Sequence, residues 1–275
     1  FCNLLPDDLL WLTLSSTGER VRVVPGAFRD RDVEVGRHIP VSPGALPRFM
    51  QRFEEGYAGL GKSDRILAAA AAHHRLLWIH PFLDGNGRVA RLLSHALLLD
   101  ALDTGGLWSV ARGLALAEAT YKQQLQACDL TRRNDLDGRG NLSEEMLAVF
   151  TRFVLETCID QVLFMRRLLE PERLRDRILV WVEEETRGGR LPGKAKELLS
   201  AMLYHGEVQR GDVAAVVGAS ARTARRVVAE LTEAGIVESA SPRSPLHLRF
   251  PAELAGRWMP GLFPDMSWPD SAVSP

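Results

Sequence analysis

A Gly-Asn-Gly turn between two strongly helical stretches is the feature that most constrains the fold of this 275-residue chain. Residues 64–79 before the turn are rich in alanine and leucine, and residues 88–102 after it are apolar on almost every side. A helix that is apolar all round is usually buried at the centre of a domain. Two glycines let the backbone enter conformations that other residues resist. The pattern therefore predicts two packed helices joined by a sharp turn, in a mainly α-helical protein.

The same turn has the chemistry of an anion site. Its backbone N–H groups open a helix, and the N-terminal end of a helix favours anions. Arg88 and Arg91 lie three residues apart and share a helix face, from which both guanidinium groups can bind phosphate oxygens. Asp84 is a candidate Mg²⁺ ligand, because Mg²⁺ binds through one or two carboxylates together with phosphates. His80, four residues earlier, is a candidate general base.

This stretch resembles the signature of the Fic family, HPFx(D/E)GNGRxxR, and every specified position of that signature is present. The matching residues are His80, Pro81, Phe82, Asp84, Gly85, Asn86, Gly87, Arg88 and Arg91. The resemblance implies a Fic domain, a helical bundle, over residues 1–169, with its motif at residues 80–91. It also implies a small β-hairpin flap, at about residues 33–41, that docks the backbone of a target protein.

By this resemblance the chain is a protein adenylyltransferase, which moves AMP from ATP to a Ser, Thr or Tyr hydroxyl of another protein. His80 would be the catalytic base and Asp84 would hold Mg²⁺. The residues expected to bind the nucleotide are Phe82, Gly85, Asn86, Gly87, Arg88, Arg91 and, further along the chain, Tyr121. A packing role inside its helix fits Tyr121 equally well.

Other functions stay open at this level. Some relatives in the Fic family transfer a different phosphate-containing group. The Doc toxins, which phosphorylate, carry lysine at the position of Gly87, so this motif fits AMP transfer better. The alternative without catalysis is a nucleotide-sensing, DNA-binding transcription regulator, although a pure sensor has no need of a base such as His80.

The carboxyl-terminal part of the sequence predicts a second domain. A linker helix is expected over residues 170–190, and residues 191–254 are expected to form three short helices and two strands. This order resembles a winged helix-turn-helix domain, which many bacterial Fic proteins carry at this end. Residues 255–275 have no clear pattern and are expected to be a mobile tail.

The third helix of that domain would be the DNA-reading helix, with Ser220 as its cap. The residues expected on its exposed side are Arg222, Thr223, Arg225 and Arg226. Residues 206–250 hold six arginines against five acidic residues, which weakens the electrostatic case for DNA. A protein-binding module, or a dimerisation module that would make the chain a homodimer, is therefore an equal alternative.

Composition limits the other classes. A net charge of −1 argues against a globally basic nucleic-acid binder. The sequence has no apolar run of about 18 residues, so no transmembrane helix is expected. Cys2, Cys128 and Cys158 lie far apart and form neither a metal-binding spacing nor a disulfide framework, which fits a reducing cytoplasm.

The amino-terminal residues predict a helix over Leu4–Leu14 and short strands at residues 26–29 and 33–36. Many Fic proteins are inhibited by a helix of pattern (S/T)xxxE(G/N), whose glutamate pairs with the second motif arginine. Residues 15–19 come closest to it, but Arg20 stands where Gly or Asn is needed and Gly18 disfavours a helix. We therefore expect a turn there, with any inhibitory helix supplied from upstream or by a partner chain.

Two further histidines, His73 and His74, precede the motif, and one of them can share a helix face with His80. They lack the carboxylate spacing of a metal site such as His-Glu-x-x-His. The sequence therefore predicts a structural role for both.

Overall fold

The computed structural model describes residues 5–14, 18–36 and 38–263, and it is mainly helical as the sequence predicts. The chain divides into two compact units, one that runs up to Leu163 and one that begins at Phe164. None of the helices in the described ranges is long and apolar enough to cross a membrane. The helices that lie in or begin in the first unit are α1 (Leu46–Tyr57), α2 (Lys62–Ile79), α3 (Asn86–Leu102), α4 (Val110–Leu116), α5 (Glu118–Ala127) and α6 (Glu144–Leu168).

Close packing between α2 and α3 organises the first unit. The two helices run antiparallel, because Arg65 near the start of α2 pairs with Asp100 near the end of α3. Small side chains predominate where the helices meet, so the two backbones can approach closely. The buried small residues of the two helices are Ala69, Ala70, Ala72, Ala90, Ser94 and Ala101. The chain must therefore reverse its direction within the short loop of residues 80–85.

An antiparallel hairpin precedes the helices. Strand β1 (Trp11–Thr13) pairs with β2 (Arg20–Arg22). The prediction of a helix over Leu4–Leu14 is wrong. Within the described part of that segment, the helical residues are Asp7–Leu10, which form one 3₁₀ turn. The pairing with β2 decides the outcome, because it gives the backbone hydrogen-bond partners in another strand. Trp11 and Thr13 are also residue types that suit strands better than helices.

The segment nearest to an inhibitory motif joins these two strands. Its residues 15–17 lie outside the described residues. Gly18 has φ +69°, and the N–H of Leu14 bonds the carbonyl of Glu19 at 2.9 Å. The described ends of the segment thus close the hairpin, in agreement with the expected turn.

The predicted flap, residues 33–41, contains one isolated β-bridge. Val35 and His38 exchange two backbone hydrogen bonds of 3.0 Å, and Arg37 between them lies outside the described residues. The strand predicted at residues 26–29 is absent from the described structure. Its backbone instead bonds the motif loop, from the N–H of Arg29 to the carbonyl of Pro81 at 2.9 Å.

The second unit has short helices around a small sheet. Its helices are α7 (Pro171–Arg187), α8 (Ala195–His205), α9 (Val213–Val216), α10 (Ala221–Glu233) and α11 (Ala255–Trp258). Its strands are β3 (Glu207–Val208), β4 (Val237–Glu238) and β5 (Leu246–Leu248), which pair antiparallel in the order β3–β5–β4. Strand β3 was not predicted, since two residues are too few to show an alternating pattern.

The expected mobile tail begins with an ordered segment. Trp258 is fully buried in the core of the second unit, with its ring 5.2 Å from that of Trp181 and 5.6 Å from that of Phe250. Arg177 also donates a 2.7 Å hydrogen bond to the Trp258 carbonyl. The boundary predicted at residue 255 is therefore corrected to a point beyond Trp258, because burial of a large aromatic ring outweighs a weak helical pattern. Residues 264–275 lie outside the described residues.

We expect Trp258→Ala to destabilise the second unit by about 3–5 kcal/mol, because it removes a buried indole and leaves a cavity. Urea unfolding followed by circular dichroism measures this change. Phe263→Ala is the matched control, since that ring is 68% exposed. If both substitutions lowered the free energy of unfolding by the same small amount, the original prediction that residues 255–258 belong to a mobile tail would be correct.

Candidate active site

The loop between α2 and α3 begins and ends on left-handed residues. His80 has φ 52° and ψ 60°, and Gly85 has φ 84° and ψ 5°. Glycine adopts this conformation freely, whereas a histidine in it is strained. Among the described non-glycine residues, only His80 and Asp103 have a positive φ. The candidate base is thus a strained residue, which the surrounding structure must hold in place.

Asn86 closes the loop from the side of α3. Its side-chain oxygen accepts a 3.0 Å hydrogen bond from the N–H of Phe82, and its amide nitrogen donates a 2.8 Å hydrogen bond to the carbonyl of Phe82. Asn86 is 2% exposed. Both polar ends of its side chain are therefore engaged by the loop itself.

Arg29 holds the loop from the other side. This side chain is 4% exposed, and it donates to the carbonyls of His80 at 2.8 Å, Arg31 at 2.8 Å and Val41. It therefore fixes the carbonyl of the candidate base and ties the end of the flap to it. The role of Arg29 was not predicted, because nothing in the local sequence pattern separates Arg29 from the more exposed Arg31.

The flap is also anchored to α2 through His38. Its ring Nε2 donates to the carbonyl of Trp78 at 2.7 Å, and the two rings lie 5.7 Å apart. Trp78 is two residues from His80, so the flap and the candidate base are held on the same stretch of backbone. This contact was also missed, since it joins residues far apart in the sequence.

The two motif glycines lie beside the two motif arginines. A Cβ atom on Gly85 would lie 3.4 Å from Nη2 of Arg88, and one on Gly87 would lie 3.4 Å from Nη1 of Arg91. Arg88 also pairs with Asp84, with 2.6 Å between Nη2 and Oδ2. The loop thus brings together the glycines, both arginines and the candidate metal ligand.

The first turn of α3 offers N–H groups to an anion. Its first helical hydrogen bond runs from the N–H of Val89 to the carbonyl of Gly85, at 2.9 Å. The N–H groups that precede Val89 in the helix therefore point out of its amino-terminal end. Such N–H groups and guanidinium groups are suited to bind an anion, and the anion site itself stays a prediction.

His80 is held in the neutral form that a general base requires. Burial lowers its pKa to about 4, and a hydrogen bond to the backbone of Leu77 only partly opposes that change. A neutral imidazole carries one ring N–H group and a lone pair on its other nitrogen, and that lone pair can accept a proton. At pH 7 the imidazole is therefore uncharged and can act as an acceptor.

A cavity of about 330 Å³ lies beside the loop, between the amino-terminal segment and the motif. The motif residues that line it are Phe82, Asp84, Gly85, Arg88 and Val89. Tyr121 is not among its lining residues. It is 7% exposed, and its hydroxyl lies 2.7 Å from Nε2 of His73. Its role in binding a nucleoside stays a prediction.

Residues 7–98 match the Fic/DOC family. A stretch of 96 residues of the chain resembles proteins that carry the name protein adenylyltransferase Fic. The protein of Drosophila melanogaster is 44% identical over 96 residues, which are 34% of this chain and 20% of that protein. The protein of Drosophila ananassae is 43% identical over 96 residues, 34% of this chain and 19% of that protein. The matched region thus spans about a fifth of the length of these curated relatives.

Two solved structures are also similar. A Fic family protein from Desulfovibrio desulfuricans has a TM-score of 0.41 and 18% identity, over 82% of this chain and 63% of that one. A Fic domain-containing signalling protein from Bacteroides thetaiotaomicron has a TM-score of 0.36 and 22% identity, over 51% of this chain and 53% of that one.

We expect Arg29→Met to destabilise the first unit by about 2–4 kcal/mol, because the buried carbonyls that Arg29 bonds would lose their donor. The measurement is thermal unfolding, together with the NMR signal of the His80 ring, which should shift as the loop relaxes. Arg31→Met, in the same segment but more exposed, is the control and should change neither. A loss of stability without any shift of the His80 signal would show that Arg29 does not position the loop.

Proposed function

We propose that the chain is a protein adenylyltransferase, which transfers AMP from ATP to a Ser, Thr or Tyr hydroxyl of another protein. The observation that carries this proposal is a neutral His80 at the start of the loop whose glycines lie beside both motif arginines. The similarity to proteins named protein adenylyltransferase Fic supports it. A site that only bound a nucleotide would have no use for a strained, proton-accepting histidine.

In the proposed reaction, the free ring nitrogen of His80 accepts the proton of the incoming hydroxyl. The hydroxyl oxygen forms a bond to the α-phosphorus, and the bond from that phosphorus to the bridging oxygen of the β-phosphate breaks. Pyrophosphate leaves with the electron pair. The N–H groups at the start of α3, with Arg88 and Arg91, stabilise the phosphate charge, and such preorganised donors usually dominate catalysis.

The donor set fits Mg²⁺. Among the described residues no group of three or more His, Cys, Asp or Glu side chains could hold a metal by itself. Mg²⁺ suits such a site, since it takes one or two carboxylates and completes its ligands with substrate phosphates and water. Asp84, 49% exposed beside Arg88, would be the protein ligand. When bound there, Mg²⁺ would supply positive charge to the phosphates.

We expect His80→Ala to reduce transfer by about 10²–10⁴-fold and to leave ATP binding nearly unchanged, because the ring moves a proton and does not hold phosphate. Transfer is measured with lysate proteins and ATP labelled on the α- or the γ-phosphate, and binding is measured by calorimetry. Label from the α-phosphate alone supports AMP transfer. Label from the γ-phosphate alone would instead show phosphorylation and contradict the proposal.

Two variants complete this experiment. His205→Ala changes an exposed histidine of the second unit and should leave transfer at the wild-type rate. Asp84→Ala should remove the Mg²⁺-dependent part of ATP binding. If His80→Ala still modified proteins at the wild-type rate, the base assignment would be wrong.

We also propose that residues 191–254 form a winged helix-turn-helix domain that binds DNA through α10. The order α8, β3, α9, α10, β4, β5 and the three-stranded antiparallel sheet support this reading. Ser220 caps α10, with its hydroxyl accepting from the N–H of Thr223 at 3.3 Å. Ala224, Val227 and Leu231 face the core, whereas the exposed side of α10 carries Arg222, Arg225 and Arg226.

We expect the double substitution Arg222→Ala with Arg225→Ala to weaken DNA binding. It should also make the plot of log binding constant against log salt concentration less steep, by about 0.9 for each phosphate that the protein no longer neutralises. Fluorescence anisotropy with a duplex from the region upstream of the gene provides the measurement at several salt concentrations. The control is the double substitution Arg173→Ala with Arg187→Ala, which removes the same charge from two exposed positions on α7. If the wild-type chain binds no DNA, the domain is a protein-binding or dimerisation module, and the mass of the particle in solution tells these two apart.

A further inference from the structure

An apolar groove lies on the surface of the first unit, between α2 and α6. Its volume is about 600 Å³, and most of its lining is small or aliphatic, including Leu67, Ala68 and Ala71 on α2 and Leu155 and Ile159 on α6. Leu67 is 53% exposed and Ile159 is 60% exposed. None of the motif residues 80–91 lines this groove. An apolar groove between two helices is the kind of surface into which a partner helix packs.

Two charged residues of α6 line the groove, one of each sign. Arg152 and Glu156 are both exposed, and they lie four residues apart on one face of the helix. Within residues 5–14, 18–36 and 38–263, no ion pair joins either of them to the other or to a third side chain. Arginine followed by glutamate is also the weaker order for such a pair within a helix. Both charges are therefore available to a partner.

The exposed face of α6 has a two-fold symmetric order of residues. Val149, Arg152, Glu156 and Ile159 follow one another at spacings of three, four and three, so they form one stripe along the helix, which we call the α6 stripe. Val149 is 39% exposed and, like Ile159, presents apolar surface. Val154 is the midpoint in the sequence: in either direction a charged residue follows after two positions and a β-branched apolar residue after five. The two halves of the stripe thus carry similar apolar residues and opposite charges.

We propose that the α6 stripe binds a second copy of this chain, with the two α6 helices antiparallel across a two-fold axis. A two-fold interface must be self-complementary, because the same surface serves on both sides. Here the axis brings Arg152 of each copy to Glu156 of the other, and Val149 of each copy to Ile159 of the other. The stripe supplies both members of every pair, which favours a second copy over an unrelated protein. The proposal goes beyond the proposed function and requires neither ATP nor DNA.

The test reverses one charge at a time. In Arg152→Glu the stripe carries two acids, and in Glu156→Arg it carries two bases, so like charges would meet at both symmetry-related contacts of each dimer. We therefore expect each variant alone to dimerise about 100-fold more weakly than the wild-type chain. Sedimentation equilibrium at several protein concentrations measures the dissociation constant of the dimer. Arg48→Glu, which reverses an exposed charge on α1, is the control and should leave this constant unchanged.

Mixing the two charge variants gives the sharpest comparison. In a mixed dimer of one Arg152→Glu copy and one Glu156→Arg copy, both contacts join opposite charges. The mixture should therefore dimerise about as tightly as the wild-type chain, and native mass spectrometry identifies the mixed dimer by its mass. Since both variants must be folded to form this dimer, recovery cannot be confused with damage to the fold.

A further substitution tests the apolar end of the stripe. We expect Ile159→Gln to weaken the dimer by at least about tenfold, because the side chain that it removes would be buried in both copies. Leu136→Gln is the matched control, since Leu136 is 97% exposed and does not line the groove. In a chain that does not use this surface, both substitutions would have the same small effect.

Three results would overturn the inference. A wild-type chain that stays monomeric would leave the groove to a different protein. A dimer that persists unchanged in both charge variants would place the contact elsewhere, for example in the carboxyl-terminal domain. Dimers that weaken in both variants without recovering in the mixture would contradict the two-fold pairing. None of these results bears on the proposed function, because transfer from labelled ATP is measured separately.

Discussion

The close contact between α2 and α3 is the constraint on which the site depends. Because alanines and a serine lie where the helices meet, the backbones approach until Oγ of Ser94 lies 3.4 Å from the carbonyl of Ala69. Two antiparallel helices at this distance leave little length for their connection, so the chain turns sharply over residues 80–85. A left-handed residue at each end makes that turn. The strain at His80 is thus a consequence of helix packing, and larger side chains in the contact would relax it.

The strained loop is held by the surrounding chain rather than by its own interactions alone. Asn86 bonds the backbone of Phe82, and Arg29 bonds the carbonyl of His80, so both ends of the loop are fixed by side chains that are almost fully buried. Burial also keeps the histidines nearby uncharged, with the pKa of His80 at about 4 and that of His73 at about 3. Positive charge at the site therefore comes from its arginines, and the histidines remain proton acceptors and hydrogen-bond partners.

The sequence predicts the part of this structure that depends on local pattern. The helices on both sides of the motif, the break between them and the gathering of Asp84, Arg88 and Arg91 all follow from residue types at short spacing. Contacts between segments that are distant in the sequence could not be predicted from these local patterns. Neither the position of Arg29 against the motif nor the burial of Trp258 can be read from neighbouring residues. The error over Leu4–Leu14 has the same origin, since a partner strand converts a short apolar run into a β-hairpin.

The ion pair between Arg88 and Asp84 joins a motif arginine to the candidate metal ligand, and under the proposed function both partners have other work. Arg88 pairs with Asp84 at a site where both side chains are a third or more exposed, and such pairs contribute about 0–1 kcal/mol. A phosphate can therefore replace Asp84 as the partner of Arg88 at little cost in free energy. The carboxylate of Asp84 then becomes available to Mg²⁺. Under the proposed function, nucleotide binding would thus rearrange Arg88 and Asp84 together.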